Sequence, residues 1–318
     1  MRVLSLLASG TEIVCALGAG DSMVGRSHEC DNPEWVRKLP ACTRPAFDVS
    51  MSSGEIDAEV TRRLKLHEPL YHVDANLIRE LRPDLLITQA HCEVCAVTPD
   101  DMERAGCGTL SSQVLALSAG TVEGIFDGVM SIARGMRLVA AGEQLVATMR
   151  SRIRAVTDEV QDKPAPTVVM LEWIDPIYSM GNWGPELVEA ANGKVLIGQK
   201  GQFSRAIPWD EVREADPDFL IIAPCGFGID RTLRELPLLE ALPGWRQLKS
   251  VMAGRVALAD GNLYFNRSGT TIVETVEIIA EILHGHRGAE KRHAGAWRPY
   301  SETTVGVSET GSYRFAPR

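Results

Sequence analysis

The chain has 318 residues, 45% of them hydrophobic and 24% charged, with a formal net charge of −9. That length accommodates two ordinary domains, and the composition is that of a globular protein. The acidic balance disfavours a nucleic-acid binder, and no apolar run approaches the ~20 residues of a membrane-spanning helix.

Strand-like Arg2 to Leu7 opens the chain. It lacks the length and the small-residue cleavage site of a secretory signal. The sequence as written therefore predicts a cytoplasmic protein, periplasmic only if the true start lies upstream. In the cytoplasm the seven cysteines argue for packed, reactive or metal-bound thiols rather than disulfides. A helix over Thr11–Leu17, stopped by Gly18 and Gly20, follows the strand. Met23-Val24-Gly25 reads as a strand, and a loop through His28 and Cys30 leads to a helix near Gly54–Leu64. Tyr71 to Val73 reads as a strand and Asp74 to Leu81 as a helix.

The next phrase occurs twice. Ile78-Arg79-Glu80-Leu81-Arg82-Pro83-Asp84-Leu85-Leu86-Ile87-Thr88 is matched by Val212-Arg213-Glu214-Ala215-Asp216-Pro217-Asp218-Phe219-Leu220-Ile221-Ile222. Each copy is a helix end, a Pro-Asp turn and an apolar run of the kind that forms a buried parallel strand. A duplicated unit predicts two similar α/β lobes. Leu115 to Leu117 reads as the last strand of the first lobe, which spans 1–122.

From Glu123 to Val160 there is no proline, and apolar residues at steps of three, four and seven mark one helical face. One helix of that length would run roughly 57 Å at 1.5 Å per residue. It is expected to bridge the lobes over 123–163; a coiled-coil dimer would use the same stripe. The second lobe, 164–285, repeats the grammar: strands at Thr167–Leu171, Val195–Ile197 and Val256–Leu258, helices at Pro185–Ala191, Arg231–Leu239 and Thr270–Leu283. Residues 286–318 lack periodicity and read as a mobile tail, with Trp297 to Tyr300 the one stretch able to dock.

Ligands of open α/β sheets sit beyond the carboxyl ends of the strands. Several side chains are expected there. His28, Cys30, Cys92, Cys95 and Cys225 all follow predicted strands. Cys92-x-x-Cys95 has zinc-like or redox-like spacing, and with the others it could hold zinc, an iron–sulfur cluster, or the cobalt of a ligand. Small buried thiols are the plainer alternative. Ser9-Gly10-Thr11-Glu12 lies between strand and helix, where its amides could receive an anion or simply cap the helix. Trp173, Tyr178, Trp183, Trp209, Phe227 and Tyr264 fall mostly in predicted loops of the second lobe and suit a broad planar ligand, or the packing of that lobe. No G-x-S-x-G elbow and no phosphate loop occur, so nucleophilic catalysis has little support.

Arg2 to Ile13, Leu17 to Gly20 and Val24 to Ser27 resemble the opening of the cobalamin-binding proteins of bacterial ABC importers. Asp31-Asn32-Pro33 is similar to their Asp-Tyr-Pro turn, with Asn32 replacing a ring, and Ile207-Pro208-Trp209 also matches. The resemblance implies two Rossmann-like lobes joined by a backbone helix, as in class III periplasmic binding proteins. It also implies a corrinoid held by aromatic side chains without catalysis, and an ABC permease as partner. Members of that family are exported and generally lack the cysteine loops, so this chain is similar to a cytoplasmic-looking branch. A metal or iron–sulfur protein, a thiol-dependent enzyme, and a haem or siderophore binder stay open beside the corrinoid reading.

Overall fold

Both Pro-Asp turns do the same job. In each, the helix before the turn ends in a left-handed residue, Arg82 (φ 42°) or Asp216 (φ 38°). The proline that follows cannot continue a helix and favours an extended residue before a strand. The aspartate then ties down the neighbouring strand: Asp84 accepts the Arg2 N–H at 2.7 Å, and Asp218 accepts the Thr167 N–H at 2.9 Å and its hydroxyl at 2.8 Å. The apolar run after each turn enters a sheet between two parallel neighbours, where both faces are covered.

The computed structural model describes residues 1–91, 94, 96–107, 111–285 and 293–300. The first lobe contains strands β1 (Val3–Ser5), β2 (Met23–Arg26), β3 (Thr43–Pro45), β4 (Tyr71–Val73), β5 (Leu85–Gln89) and β6 (Gln113–Leu117). Its helices are α1 (Ala8–Ala16), α2 (Ser53–Lys65), α3 (Ala75–Leu81) and α4 (Pro99–Arg104). The main sheet is parallel in the order β2-β1-β5-β6, and β3 pairs with β4 beside it.

Helices α5 (Val122–Gly135) and α6 (Val139–Val160) lead to the second lobe. There follow β7 (Thr167–Trp173), β8 (Tyr178–Ser179), α7 (Gly184–Ala190), β9 (Lys194–Val195), β10 (Arg205–Ala206), α8 (Trp209–Ala215), β11 (Phe219–Ile222), α9 (Ile229–Glu240), α10 (Lys249–Met252), β12 (Val256–Ala259), α11 (Ile272–His284) and β13 (Trp297–Pro299). The sheet order is β10-β8-β7-β11-β12-β13, with β9 beside β7. The α/β, two-lobed architecture is the one expected.

Two expectations are corrected. The segment 123–160 is two helices, not one. Arg137 turns left-handed at φ 60°, and Leu138 N–H closes on Ala133 O at 2.7 Å. The helices then run antiparallel, with Arg150 on Glu123 and its guanidinium 4.4 Å over the Phe126 ring. The apolar stripe continues through the turn, so periodicity alone hides it. The sign was Gly142: a Cβ there would fall 2.5 Å from the Ala133 Cβ, so only glycine lets the helices meet. Helix α6 binds the second lobe through Arg152 to Glu274 (2.7 Å) and Glu277 (3.0 Å) and through Thr157 to Ala190 O (2.9 Å), and α5 does so through Val122 N–H to Glu186 (2.8 Å).

The second correction concerns the tail. Residues 293–300 are docked: β13 pairs antiparallel with β12, Tyr300 is buried against Trp245, and its hydroxyl donates to Glu240 at 2.7 Å. Residues 286–292 and 301–318 lie outside the described residues. One apolar core runs from Val3 and Ile13 through Phe126, Val129, Met149 and Val156 to Val188 and Val276, so it joins the lobes. A second cluster fills the other face of the second sheet, beneath α8 and α9.

Candidate functional site

The segments that leave the carboxyl ends of the strands meet between the lobes. Helix α1 begins at Ala8, three residues before the expected start, because Leu7 already has extended dihedrals and caps it without a side-chain bond. Its first turn is covered: Ser9 is 2% exposed and its Oγ lies 3.5 Å from Ser268 Oγ of the other lobe. Gly269 makes that approach possible, since a Cβ there would sit 2.9 Å from the Ser9 Cβ. Thr11 is buried, and its hydroxyl donates to Cys30 Sγ at 3.0 Å.

A bridge of charge joins the lobes. Arg267 of the second lobe donates to Glu12 at 2.7 Å and to Asp31 at 2.6 Å, both in the first lobe. The Glu12 side chain is 1% exposed and that of Arg267 6%. The Asn262 amide donates to Asp31 at 3.0 Å and that of Asn32 to Glu12 at 3.3 Å. Burial opposes the Asp31 charge, but Arg267, Asn262 and Arg37 together overcome it and hold the carboxyl below the usual range. Glu29 lies close to the same bridge. Protein crowds round its carboxyl although its side chain keeps 39% exposure. Desolvation pushes it up to about 7, with Arg267 opposing and Asp31 adding.

A second contact joins α2 of the first lobe to α9 of the second. Ser53, the first residue of α2, donates its N–H to both oxygens of Glu235 at 3.1 Å and its hydroxyl to Oε2 at 2.7 Å. Arg231 donates to the carbonyls of Ser50, at 3.2 Å, and of Met51. The Trp173 indole N–H is shared between Asp175 O of its own lobe at 3.1 Å and Ser53 O at 3.2 Å, and the Tyr178 hydroxyl lies 3.5 Å from Asp57. Phe227 packs beneath, 5.0 Å from Trp173 between ring centroids, with Arg231 4.8 Å over its face. At a third place His91 Nε2 lies 2.9 Å from Asn182 Oδ1.

The structure therefore brings Ser9, Asp31, Trp173 and Tyr178 into contact with the opposite lobe, whereas Thr11 turns to Cys30 of its own lobe and Phe227 backs Trp173. Other expected residues lie elsewhere. Trp183 caps α7, is 7% exposed, and belongs to the shared core. Trp209 packs on Trp245, 6.0 Å away, and donates to Pro243 O at 2.7 Å. Tyr264 packs on the core, with His293 at 6.4 Å.

The candidate metal ligands do not converge among the described residues. Cys30 is 1% exposed and sits in the core; burial, slightly offset by Thr11, pushes its thiol up to about 11. His28 turns to Thr43, Nδ1 2.7 Å from the hydroxyl, and lies 5.6 Å from the Tyr71 ring. Burial, with Arg26 adding, pushes its imidazole down to about 4, so it is neutral. Cys225 follows β11 and is half-buried, its N–H on Glu172 O at 2.9 Å. Cys92 and Cys95 lie outside the described residues. Among those described, no group of three or more His, Cys, Asp or Glu is placed to hold a metal.

Glu12, Arg267, Ser53, Arg231 and Glu235 carry the junction and escape a reading of the sequence. Arg267 and Glu12 are separated by 255 positions. The available signal was local: an arginine in the polar turn Asn266-Arg267-Ser268-Gly269 between the last parallel strand and its helix.

Solved structures share this fold. A periplasmic haem-binding protein from Pseudomonas aeruginosa superposes with a TM-score of 0.70 at 19% identity, covering 94% of this chain and 98% of that one. The periplasmic vitamin B12-binding protein BtuF of Vibrio cholerae gives 0.63 at 16% identity, over 88% and 95%. Among curated proteins, an uncharacterised ABC transporter substrate-binding lipoprotein of Bacillus subtilis strain 168, YvrC, is 22% identical over 292 residues, covering 89% of this chain and 80% of that protein. The family model described as periplasmic binding protein matches residues 3–263. Family and lipoprotein relative together overturn the expected cytoplasmic location; they point outside the cytoplasmic membrane. No helix among the described residues is long and apolar enough to cross a membrane. The continuous match across both lobes makes this chain a member of the periplasmic binding protein family, a two-lobed solute-binding protein and not an enzyme.

Proposed function

We propose that the cleft binds a corrinoid of the cobalamin type and hands it to an ABC permease. The observation that carries this reading is the state of Arg267. The guanidinium at the junction of the lobes is already matched by two carboxylates, Glu12 and Asp31, with Glu29 close by. Arg231 is likewise engaged by Glu235 at 2.9 Å and by backbone carbonyls. A tetrapyrrole bearing free carboxylates needs open cations, because charge-assisted pairs are what hold such groups. The amides of Asn32 and Asn262 complete the pairing of Glu12 and Asp31. A site whose charges are matched internally suits a ligand with a neutral amide rim, as a corrinoid has. The flat side chains of Trp173, Phe227 and Tyr178 supply an apolar wall. The sequence resemblance to cobalamin-binding proteins supports the same ligand.

The test is a pair of titrations on reduced wild-type protein, one with cyanocobalamin and one with haemin, followed by absorbance and calorimetry. One cyanocobalamin per chain is expected, with no Soret shift from stoichiometric haemin. Saturable haemin binding without cyanocobalamin binding overturns the proposal.

A further inference from the structure

We infer that His28 Nε2 binds the cobalt of the corrinoid as an axial ligand, so that the cleft selects corrinoids whose axial position is open or holds exchangeable water. This rests on the corrinoid reading of the cleft and goes beyond the aromatic hold that the sequence resemblance implies.

A corrin ring supplies the equatorial nitrogens of its cobalt and leaves the axial positions to other donors. One side chain therefore suffices, and the expected metal ligands need not converge. That side chain must be neutral, fixed in direction and uncommitted at the coordinating atom. His28 meets all of these conditions. Its backbone N–H and its Nδ1 both meet the Thr43 hydroxyl oxygen, at 3.0 and 2.7 Å. Thr43 gives its own proton to Ser27 Oγ at 3.2 Å. Nδ1 is therefore the donor, and the neutral ring carries its proton there. Nε2 keeps a bare lone pair. Glu29 Oε1 lies 4.0 Å from it, beyond hydrogen-bond reach, and Nε2 has no hydrogen-bond partner among the described residues. Histidines that ligate metals are held in this way, through the N–H of the other ring nitrogen. The Tyr71 ring packs beside the imidazole at 5.6 Å, and Thr43 is itself fixed in β3.

Position favours the same residue. His28 leaves the carboxyl end of β2, and its loop carries Asp31, which reaches Arg267 and Asn262 of the second lobe. Its side chain keeps 21% exposure, so a ligand can approach Nε2. Other donors are committed. Cys30 is buried with its thiol pushed up to about 11. His91 Nε2 meets Asn182 at 2.9 Å, His284 Nε2 meets Ala191 O at 2.8 Å, and His293 pairs with Glu277. His72 lies opposite Arg44, on the other face of the β3–β4 ribbon from Thr43. On binding, the Nε2–cobalt bond forms with both electrons from nitrogen. A water on that face of the cobalt leaves with its own pair, and the oxidation state is unchanged.

Electron paramagnetic resonance of cob(II)inamide, which has no nucleotide base, reads this bond directly. With wild-type protein each cobalt hyperfine line should split into a triplet, and into a doublet when the protein carries nitrogen-15 histidine. His28→Ala should leave the lines unsplit. His28→Gln, whose amide can still donate to Thr43, serves if His28→Ala does not fold. Aquocobalamin should bind wild type about tenfold more tightly than cyanocobalamin, whose cyanide does not exchange, and either variant should erase that difference. Unchanged cyanocobalamin affinity shows that the variant is folded. Thr43→Val, which removes the oxygen that fixes the ring, should weaken aquocobalamin binding about tenfold or more. Unsplit lines in wild-type protein that binds cyanocobalamin overturn the inference and leave the corrinoid reading standing, as does splitting that persists in the His28 variants. If neither cyanocobalamin nor cob(II)inamide binds wild-type protein, the corrinoid reading fails and takes this inference with it.

Discussion

Single residues at the junction of the lobes set both stability and its response to pH. Arg267→Ala leaves the buried Glu12 without a cation and the half-buried Asp31 with only Arg37. Removing one partner of a buried ion pair costs about 3–5 kcal/mol, and urea unfolding should show a loss of that order. Glu29 and Asp31 respond to pH in opposite senses. The Glu29 carboxyl is raised from 4.5 to about 7, so the folded protein holds its proton more tightly than the unfolded chain. Its contribution is complete below pH 4.5 and is lost as pH rises through about 7. Asp31 is lowered from 3.8, so its contribution is present above that pH and lost as pH falls through its folded value. Glu29→Gln should therefore flatten the decline in stability between about pH 4.5 and 7, measured as the denaturation midpoint across that range. A decline as steep as in wild type would assign the effect to another group.

Elements pack where small or buried residues permit, and two substitutions test the packing. Alanine normally stabilises a helix interior over glycine by about 1 kcal/mol. Gly142→Ala should reverse that sign, because its Cβ would lie 2.5 Å from the Ala133 Cβ and push α6 off α5. Calorimetry showing a higher melting temperature for this variant would refute the antiparallel pair. The docked strand β13 is tested by Tyr300→Ala. Tyr300 is 7% exposed and its hydroxyl bonds Glu240. Truncating a buried aromatic costs about 3–5 kcal/mol, whereas the same change in a free tail costs almost nothing. Docking of this strand also covers Glu277, which pairs with His293 at 2.7 Å, and Glu281, which accepts from the Trp297 indole at 3.2 Å.

For the whole molecule, binding and stability separate by position. Trp173 lies at the junction of the lobes, whereas Trp183 lies in the core. Trp173→Ala should weaken cyanocobalamin binding roughly tenfold, since such an aromatic contact is worth on the order of 1 kcal/mol beyond its area. Trp183→Ala should lower the unfolding midpoint and leave the affinity of the folded fraction within about threefold. Calorimetric titration of both variants at a temperature where each is folded distinguishes the roles. Equal losses of affinity would mean that Trp183 reaches the ligand.

The duplicated Pro-Asp phrase was enough to predict two similar α/β lobes, because a proline after a helix and an aspartate before an apolar run act over a few neighbouring residues. That Asp84 and Asp218 tie down Arg2 and Thr167 extends the repeat into hydrogen bonding, but the strand positions were already legible. The apolar stripe of 123–160 was legible as well, though not its reversal at Arg137, which keeps the stripe in phase. Tail and strand were indistinguishable for Trp297 to Tyr300, since an edge strand is stabilised by the sheet it joins and carries little signal of its own. The aromatics were visible as a group, yet nothing local separates Trp173 at the junction from Trp183 in the core. The junction itself was decided only by folding. Glu12 meets Arg267 and Ser53 meets Glu235 across 255 and 182 positions. Charge pairing depends on distance in space, and chain order sets that distance only after the two sheets have closed on their shared core.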